Sequence, residues 1–207
     1  MIDEGYIKFE AHWTPAPSLP LKDLHNLLHW RQHLYHLGLI GAYANGVGYG
    51  NISTRYHGQQ FVITGSGTGN FPQLTPQHFT LVTQVDAPQN QCWCQGPIVA
   101  SSESMSHAAI YANSPSANSV IHVHHLGLWQ ALLGKEPTTP ASVSYGTPEM
   151  AAAITQLFSA SNLPQRRIFV MEGHREGIFV FGESLTEAGE LLLRYYKELQ
   201  PYDGDNR

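Results

Sequence analysis

Leucines and other apolar residues recur at helical spacing near the start of the chain. Leu21, Leu24 and Leu28 are followed by Leu34 and Tyr35, and the pattern stops at Gly38. Residues three, four or seven positions apart share one face of a helix, and glycine commonly follows a helix end. The pattern therefore predicts a first helix between residue 21 and Gly38.

Short runs of β-branched and aromatic residues follow this helix. Four of them lie around residues 50–55, 60–64, 79–84 and 118–124, each bounded by Gly, Pro or Asn, as strands commonly are. Two further runs, RIFVMEG and GIFVFG, flank His174 and predict a final strand pair.

Helix starts with capping residues occur between these runs. Ser102 precedes ESMSHAAIYA, Thr147 precedes a proline and a glutamate, and Ser184 with Glu187 forms a capping box before ELLLRYYKEL. Strands and helices thus alternate without a linker or a repeat, which predicts one mixed α/β domain. Periodicity alone leaves the strand order open.

The domain boundaries follow from the distribution of prolines. Residues 1–20 contain three prolines between positions 15 and 20, and we expect an extended N-terminal arm there. The domain is predicted over residues 21–200, with a short tail at residues 201–207.

The composition adds an expectation about partners. Charged residues make up 13% of the 207 positions, below the roughly 25% usual in soluble domains. So few charges favour a homo-oligomer, and the formal net charge of −5 provides no basic field for nucleic acid.

The sequence also bears on location. No apolar run approaches the roughly 18 residues of a membrane span, and MIDEGYIKFEAHWTPAP lacks the basic and apolar regions of a signal peptide. We expect a cytoplasmic protein without a membrane partner. Cys92 and Cys94, in CWC, are too close for a good disulfide and too few for a zinc site, which favours reduced, structural thiols.

Three histidines occupy four positions in SVIHVHHLG. Alternate residues of a strand face the same side, so His122 and His124 present two imidazoles about 7 Å apart at Cα, which suits one metal ion. His125 faces the other side. A cupin would need a glutamate four or five residues later and a metallo-β-lactamase would need Asp-His directly afterwards, and the sequence has neither.

Four other histidines, three of them on the first helix, have simpler interpretations. His25, His29 and His33 are spaced four residues apart on the first helix, but no carboxylate or aromatic pattern completes a site, so we interpret them as a polar or interface face. His107, one turn after Glu103, is interpreted as a packing or hydrogen-bonding residue.

Further motifs surround the HxH pair in a fixed order. They are GYGNIS and FVITGSGTG upstream, ASSESMSH directly before the pair, and MEGHREGIFVFG downstream. This series resembles the class II aldolase/adducin family, which includes sugar-phosphate aldolases, ribulose-phosphate 4-epimerase and methylthioribulose-phosphate dehydratase. The resemblance covers roughly residues 20–200 and implies a three-layer α/β/α fold around a mostly antiparallel sheet, with the 118–124 strand central.

The resemblance also implies roles for individual residues. His122 and His124 match the family's zinc ligands, His174 stands where members have a third zinc histidine, and Glu103 matches the acid/base carboxylate of SSE. The positions that match the family's phosphate-binding residues are Asn51, Ser66, Gly67, Ser101 and Ser102.

Two departures from the family pattern are visible. The family's HG is here His174-Arg175, with Gly177 three positions on, which leaves the alignment open by a residue or two. Gly65 replaces the proline of the usual ITPTG or ITPSG, a change that can loosen the loop.

The chemistry of these residue types agrees with the resemblance. Three neutral imidazoles leave a zinc ion with open positions and its full charge, so that it can polarise the carbonyl of a hydroxy-ketone and stabilise an enediolate. Glu103 can then shuttle the proton. Ser101 and Ser102 lie before a helix, where hydroxyls and free amides can bind a phosphate group, and Ser102 can also cap that helix.

We therefore expect a zinc-dependent, aldolase-type lyase for a small phosphorylated keto-sugar. A dehydratase or epimerase of the same family, or a non-catalytic adducin-like scaffold, remains an alternative. The low charged fraction, together with the assembly that is usual in the family it resembles, indicates a homotetramer with four-fold symmetry. Tyr195, Tyr196 and Tyr202 are candidates for a second acid, although none lies in a matching motif.

Overall fold

A nine-stranded sheet lies between two layers of helices in the computed structural model, which describes residues 5–199. The strands, in chain order, are β1 (Glu10–Pro15), β2 (Gly41–Ala42), β3 (Gly48–Tyr49), β4 (Asn51–Arg55), β5 (Phe61–Thr64), β6 (Phe79–Asp86), β7 (Gln91–Gly96), β8 (Ser119–His124), β9 (Thr138–Thr139), β10 (Ile168–Met171) and β11 (Gly177–Gly182). The helices are α1 (Leu21–His36), α2 (Ser104–Asn113), α3 (Leu126–Leu132), α4 (Pro148–Ala160), α5 (Leu163–Arg166) and α6 (Leu185–Leu199), and one 3-10 turn spans Pro76–His78.

The large sheet has the order β1-β7-β6-β5-β4-β8-β11-β10-β9, and β2 pairs with β3 in a separate hairpin. Within the large sheet only the two edge pairs, β1 with β7 and β9 with β10, are parallel. All its other neighbours are antiparallel. The predicted mostly antiparallel sheet is confirmed, and β8 lies inside it between β4 and β11.

Alternation along the strands builds a hydrophobic core on each face of the sheet. Val120 of β8 joins the core beneath α2 and α4, whereas Ile121 and Val123 join the core beneath α1, α3 and α6. Because successive side chains of a strand point to opposite faces, β8 contributes to both cores. This arrangement confirms the predicted three-layer α/β/α fold.

The first helix and its neighbours agree with the sequence pattern. Helix α1 ends at His36, just before Gly38, which adopts a left-handed φ of +69°. Thr147 caps α4 as expected, because its hydroxyl accepts from the Met150 amide at 3.3 Å. None of the described helices is both long and apolar enough to cross a membrane.

Part of the segment predicted as an N-terminal arm belongs to the sheet. Residues Glu10–Pro15 are extended, but they pair in parallel with β7 and form an edge strand. An edge strand tolerates proline because one row of its amide groups needs no partner. The predicted tail at residues 201–207 lies outside the described residues.

Ser102 does not cap α2. The helix begins at Ser104 with Glu103 at the N-cap position, and the Ser101 carbonyl accepts from both the amide and the hydroxyl of Ser104. The first turn of α2 is therefore stabilised by the carbonyl of Ser101, one residue before the capping residue that the sequence predicts.

Candidate metal centre

Three imidazoles converge on one buried point beside the end of β8. Alternation along this strand places His122 and His124 on one face, and β11 returns antiparallel with Gly177 opposite His124. The turn before β11 thereby brings His174 to the same point. His124 Nε2 lies 3.0 Å from His122 Nε2 and 3.1 Å from His174 Nε2. The three predicted ligands are thus brought together across 50 residues of sequence.

This geometry fits a divalent ion that prefers imidazole nitrogen. A tetrahedral zinc with Zn–N bonds of about 2.0–2.1 Å separates two ligand nitrogens by about 3.3 Å. The observed spacings are close to that value, and all three ligand atoms lie within 4.8 Å of one another. The three side chains are buried, so such an ion would be largely shielded from solvent.

The protonation states of the imidazoles are also suitable. Burial, reinforced by repulsion between the neighbouring imidazoles, lowers the pKa of His122 and of His124 well below the usual value. His122 Nδ1 lies 3.2 Å from the Ile178 carbonyl oxygen, which can only accept a hydrogen bond. The proton of His122 therefore resides on Nδ1, and its Nε2 lone pair faces the centre.

Glu103 faces this centre from the N-terminus of α2. Its Oε1 is 3.9 Å from His122 Nε2 and 3.8 Å from His174 Nε2. Oε2 accepts from the Ser106 hydroxyl at 2.6 Å, whereas the buried Oε1 has no hydrogen-bond partner among the described residues. Burial raises the pKa of Glu103 to about 7, against the opposing effects of Ser106 and Lys8. A buried carboxylate oxygen in this position suits a cation or a proton donor at the centre.

A small cavity adjoins Glu103. Its lining includes the five residues matched to phosphate binding, which come from β4, from the loop after β5 and from the segment before α2: Asn51, Ser66, Gly67, Ser101 and Ser102. The sequence motifs are far apart in the chain, and the fold brings them to one place. Gly67 has a φ of +73°, a conformation that favours glycine.

Gly65 fits the loop where the family pattern has proline. Its amide donates to the His78 carbonyl at 2.8 Å, a bond that proline cannot make. A Cβ atom on Gly65 would lie 2.4 Å from Cγ2 of Ile98. The Ser66 amide also donates to the Val99 carbonyl, so the loop is held at two points and is not loosened by the glycine.

His107 orients Asn51 through a buried hydrogen-bond chain. His107 Nε2 is 2.6 Å from Asn51 Oδ1, and its Nδ1 is 2.7 Å from the Ser53 hydroxyl, which also contacts the Tyr111 hydroxyl. Since Asn51 Oδ1 only accepts, Nε2 carries the proton of the neutral ring. The Asn51 amide NH2 group is then left as a donor for a ligand in the cavity. This outcome agrees with the hydrogen-bonding interpretation of His107.

The N-terminal segment also reaches the site, which the sequence patterns did not reveal. Gly5 lines the cavity, and Lys8 Nζ lies 3.7 Å from the ring centroid of Tyr145. Tyr145 in turn packs against His174, with ring centroids 4.5 Å apart. These are isolated residues without a motif, so only the fold connects them with the metal centre.

Other sequence candidates lie elsewhere. His125 accepts from the Leu128 amide and caps α3. The exposed histidines of α1 and the side chains of Tyr195 and Tyr196 belong to the helical layer on the opposite side of the sheet from His122. Tyr202 lies outside the described residues. The two cysteines of β7 are free and buried in the core beneath α2 and α4.

Comparison with known proteins gives one family and several similar folds. The family described as "Class II Aldolase and Adducin N-terminal domain" matches residues 27–197. L-fuculose-1-phosphate aldolase from Thermus thermophilus is 25% identical, with a TM-score of 0.63 over 87% of this chain and 92% of that one. No match was found among curated proteins.

Two further solved structures share the fold. YgbL from Escherichia coli, a candidate aldolase, epimerase or decarboxylase, is 18% identical, with a TM-score of 0.64 over 90% of this chain and 92% of that one. A sugar-phosphate aldolase from Thermotoga maritima is 16% identical, with a TM-score of 0.60 over 90% of this chain and 97% of that one.

Proposed function

The chain belongs to the class II aldolase and adducin family, and on that premise we propose that it is a zinc-dependent lyase that cleaves a small phosphorylated keto-sugar. One observation carries the proposal: the ligand atoms of three buried imidazoles lie within 4.8 Å of one another, and a carboxylate oxygen of Glu103 that has no hydrogen-bond partner among the described residues faces them. Such a group combines metal ligands with a base at a single point.

His122, His124 and His174 would hold the ion. When bound, zinc supplies a Lewis acid that polarises the carbonyl of a hydroxy-ketone. Three neutral ligands preserve the full charge of the ion, and three protein ligands leave a coordination position for substrate oxygen. The donor set is more suitable for zinc than for magnesium or calcium, which prefer oxygen ligands.

Glu103 is assigned the proton transfer because of its position. Oε2 is fixed by the Ser106 hydroxyl, so Oε1 is directed at the space in front of the imidazoles. In that place it can take a proton from a hydroxyl or carbon of the sugar and return it to the product.

The adjoining cavity is assigned to the substrate phosphate. Ser66, Ser101 and Ser102 contribute hydroxyls, Asn51 contributes its amide, and Gly67 allows the backbone to approach a ligand closely. Two of the similar structures are named as sugar-phosphate aldolases, which supports a phosphorylated substrate. The same pair favours aldol cleavage over dehydration and epimerisation.

The reaction type can be tested through the products. Short phosphorylated keto-sugars, including L-fuculose 1-phosphate, would be incubated with the zinc-loaded protein and analysed by mass spectrometry. Cleavage yields an aldehyde and a smaller ketone phosphate, dehydration loses one water, and epimerisation leaves the mass unchanged. No turnover of any of them would favour the adducin-like scaffold.

Glu103→Gln tests the assignment of the base. Gln retains the shape of the side chain but cannot exchange the proton, so turnover should fall about 10²–10⁴-fold while zinc content is retained. Glu149→Gln is a matched control, since this exposed carboxylate lies in the first turn of α4. Near-parental turnover by Glu103→Gln would reject Glu103 as the base.

The proposal extends to location and assembly. We place the enzyme in the cytoplasm as a homotetramer, in keeping with its low charged fraction and with the family.

A further inference from the structure

The second ring nitrogen of His124 takes part in a directed hydrogen-bond chain. His124 Nδ1 lies 2.9 Å from the Tyr43 hydroxyl, and that hydroxyl donates to Glu176 Oε2 at 3.1 Å. A tyrosine hydroxyl has only one proton, so it must accept from His124. The chain therefore places the His124 proton on Nδ1 and leaves the Nε2 lone pair for the metal centre.

Glu176 adopts an unusual backbone conformation. It lies in the turn between His174 and β11 with a φ of +74°, a region that side chains other than glycine rarely adopt. Its carbonyl accepts from the His125 amide at 3.1 Å, which ties the turn to the end of β8. Keeping a side chain at such a position suggests that the carboxylate has a use there, since glycine would relieve the strain.

Tyr43 is held by the hairpin of β2 and β3. Its amide donates to the Val47 carbonyl at 2.9 Å, and its ring packs against Tyr49 with centroids 4.7 Å apart. Tyr49 stacks on the His124 ring at 5.4 Å, whereas its hydroxyl donates to the Gly38 carbonyl. The hairpin thus contacts His124 through one hydroxyl and one ring face.

We propose that Tyr43 and Glu176 are positioning residues of the metal centre, which fix the tautomer and the ring orientation of His124. Ligand histidines commonly donate their other N–H to such a partner, and the loss of that partner weakens metal binding. Tyr43 lies outside the motifs that resemble the family, and Glu176 lies within MEGHREGIFVFG at a position to which the resemblance gives no role. The proposal rests on the metal centre and not on the reaction.

Zinc affinity is the first test, measured by competition with a chromophoric chelator. Tyr43→Phe and Glu176→Gly should each raise the Kd for zinc about 10–100-fold. Tyr49→Phe is the matched control, because it removes a neighbouring hydroxyl that bonds elsewhere, and its Kd should equal the parental one. Equal Kd values for all four proteins would overturn the proposal.

Thermal unfolding separates positioning from a general loss of structure. Glu176→Gly relieves a positive φ, so the metal-free variant should unfold at the parental temperature or above while its zinc affinity falls. If affinity fell only in variants with a lowered unfolding temperature, Tyr43 and Glu176 would act through stability and the proposal would be wrong.

The tautomer of His124 is the second test. In the metal-free, ¹⁵N-histidine-labelled protein, the imidazole nitrogen shifts should show the proton of His124 on Nδ1. Tyr43→Phe should shift the ring towards a mixture of tautomers, and a parental spectrum in this variant would contradict the proposal.

A parent that binds no divalent ion would overturn both this proposal and the metal centre. A parent that binds zinc but cleaves no sugar phosphate would contradict the proposed function and leave the positioning roles of Tyr43 and Glu176 standing.

Discussion

At the scale of single residues, His107 illustrates how the fold sets protonation. The ring is fully buried, with one nitrogen bonded to Asn51 and the other to Ser53. Burial lowers the pKa of His107 to about 3. The folded protein therefore keeps this ring neutral at acidity that protonates the same ring in the unfolded chain.

This difference predicts a loss of stability in acid. In the unfolded chain the pKa of this histidine is about 6.5. Below that pH the unfolded state binds a proton that the folded state does not bind, so the free energy of unfolding falls as pH falls. Between about pH 7 and pH 5 this one group should lower it by about 2 kcal/mol.

Urea unfolding of parent and His107→Gln in the presence of a chelator measures the effect. The chelator keeps the three proposed metal ligands in the same metal-free state in both proteins, so the difference reports His107. The variant should lose less stability than the parent over this pH range. Parallel losses would show that His107 is not held neutral.

Residue patterns predicted only part of the candidate metal centre. The HxH spacing indicated His122 and His124, and the resemblance added His174 and Glu103, all of which lie together in the structure. Tyr43 and Glu176 are 133 positions apart, and no pattern in the sequence assigned a role to either residue. Their contact depends on tertiary structure, which a local pattern does not contain.

At the scale of elements, α1 anchors the glycine-rich segment that follows β5. Arg31 is buried, and its guanidinium donates to the carbonyls of Thr68, Gly69 and Pro72. A Cβ atom on Gly69 would lie 2.4 Å from the Gly41 carbonyl oxygen, so this segment packs tightly against the β2–β3 hairpin. A helix in one layer thereby fixes a loop that lines the cavity.

Arg31→Met should loosen this segment. The substitution removes three charged hydrogen bonds to backbone carbonyls, and we expect it to lower the free energy of unfolding by about 2–4 kcal/mol. Urea unfolding measures the change, and Arg194→Met on the exposed face of α6 is the control. Equal stabilities for the two variants would reject the anchoring role.

The elements themselves were largely predictable, but their connections were not. The alternating runs indicated β4, β5, β6, β8, β10 and β11, because buried strands have a strong local pattern. The prolines of residues 1–20 predict an arm and hide β1, a strand that pairs only along one edge. The resemblance predicted a mostly antiparallel sheet with the 118–124 strand central, and the order of the strands is known only from the structure.

At the scale of the whole molecule, the chain has few charged residues and exposes several large apolar side chains. Leu21 is 59% exposed, and Trp13 and Phe71 are each more than 40% exposed in the single chain. Together with a charged fraction of 13%, this surface is suited to contacts between copies of the chain.

The assembly prediction concerns the mass in solution. Light scattering at micromolar concentration should give about four times the 22.9 kDa of one chain. Light scattering of bovine serum albumin, a protein of known mass, provides the calibration. A mass near that of one chain would contradict the homotetramer.

The metal content of purified protein tests the central claim most directly. Parent protein, His124→Ala and His29→Ala would be equilibrated with the same low zinc concentration, desalted and analysed by mass spectrometry of the metal. His29 is an exposed histidine of α1, remote from the centre, so this variant and the parent should both retain close to one zinc per chain. His124→Ala should retain far less. Equal zinc contents in the two variants, or a parent without zinc, would contradict the account.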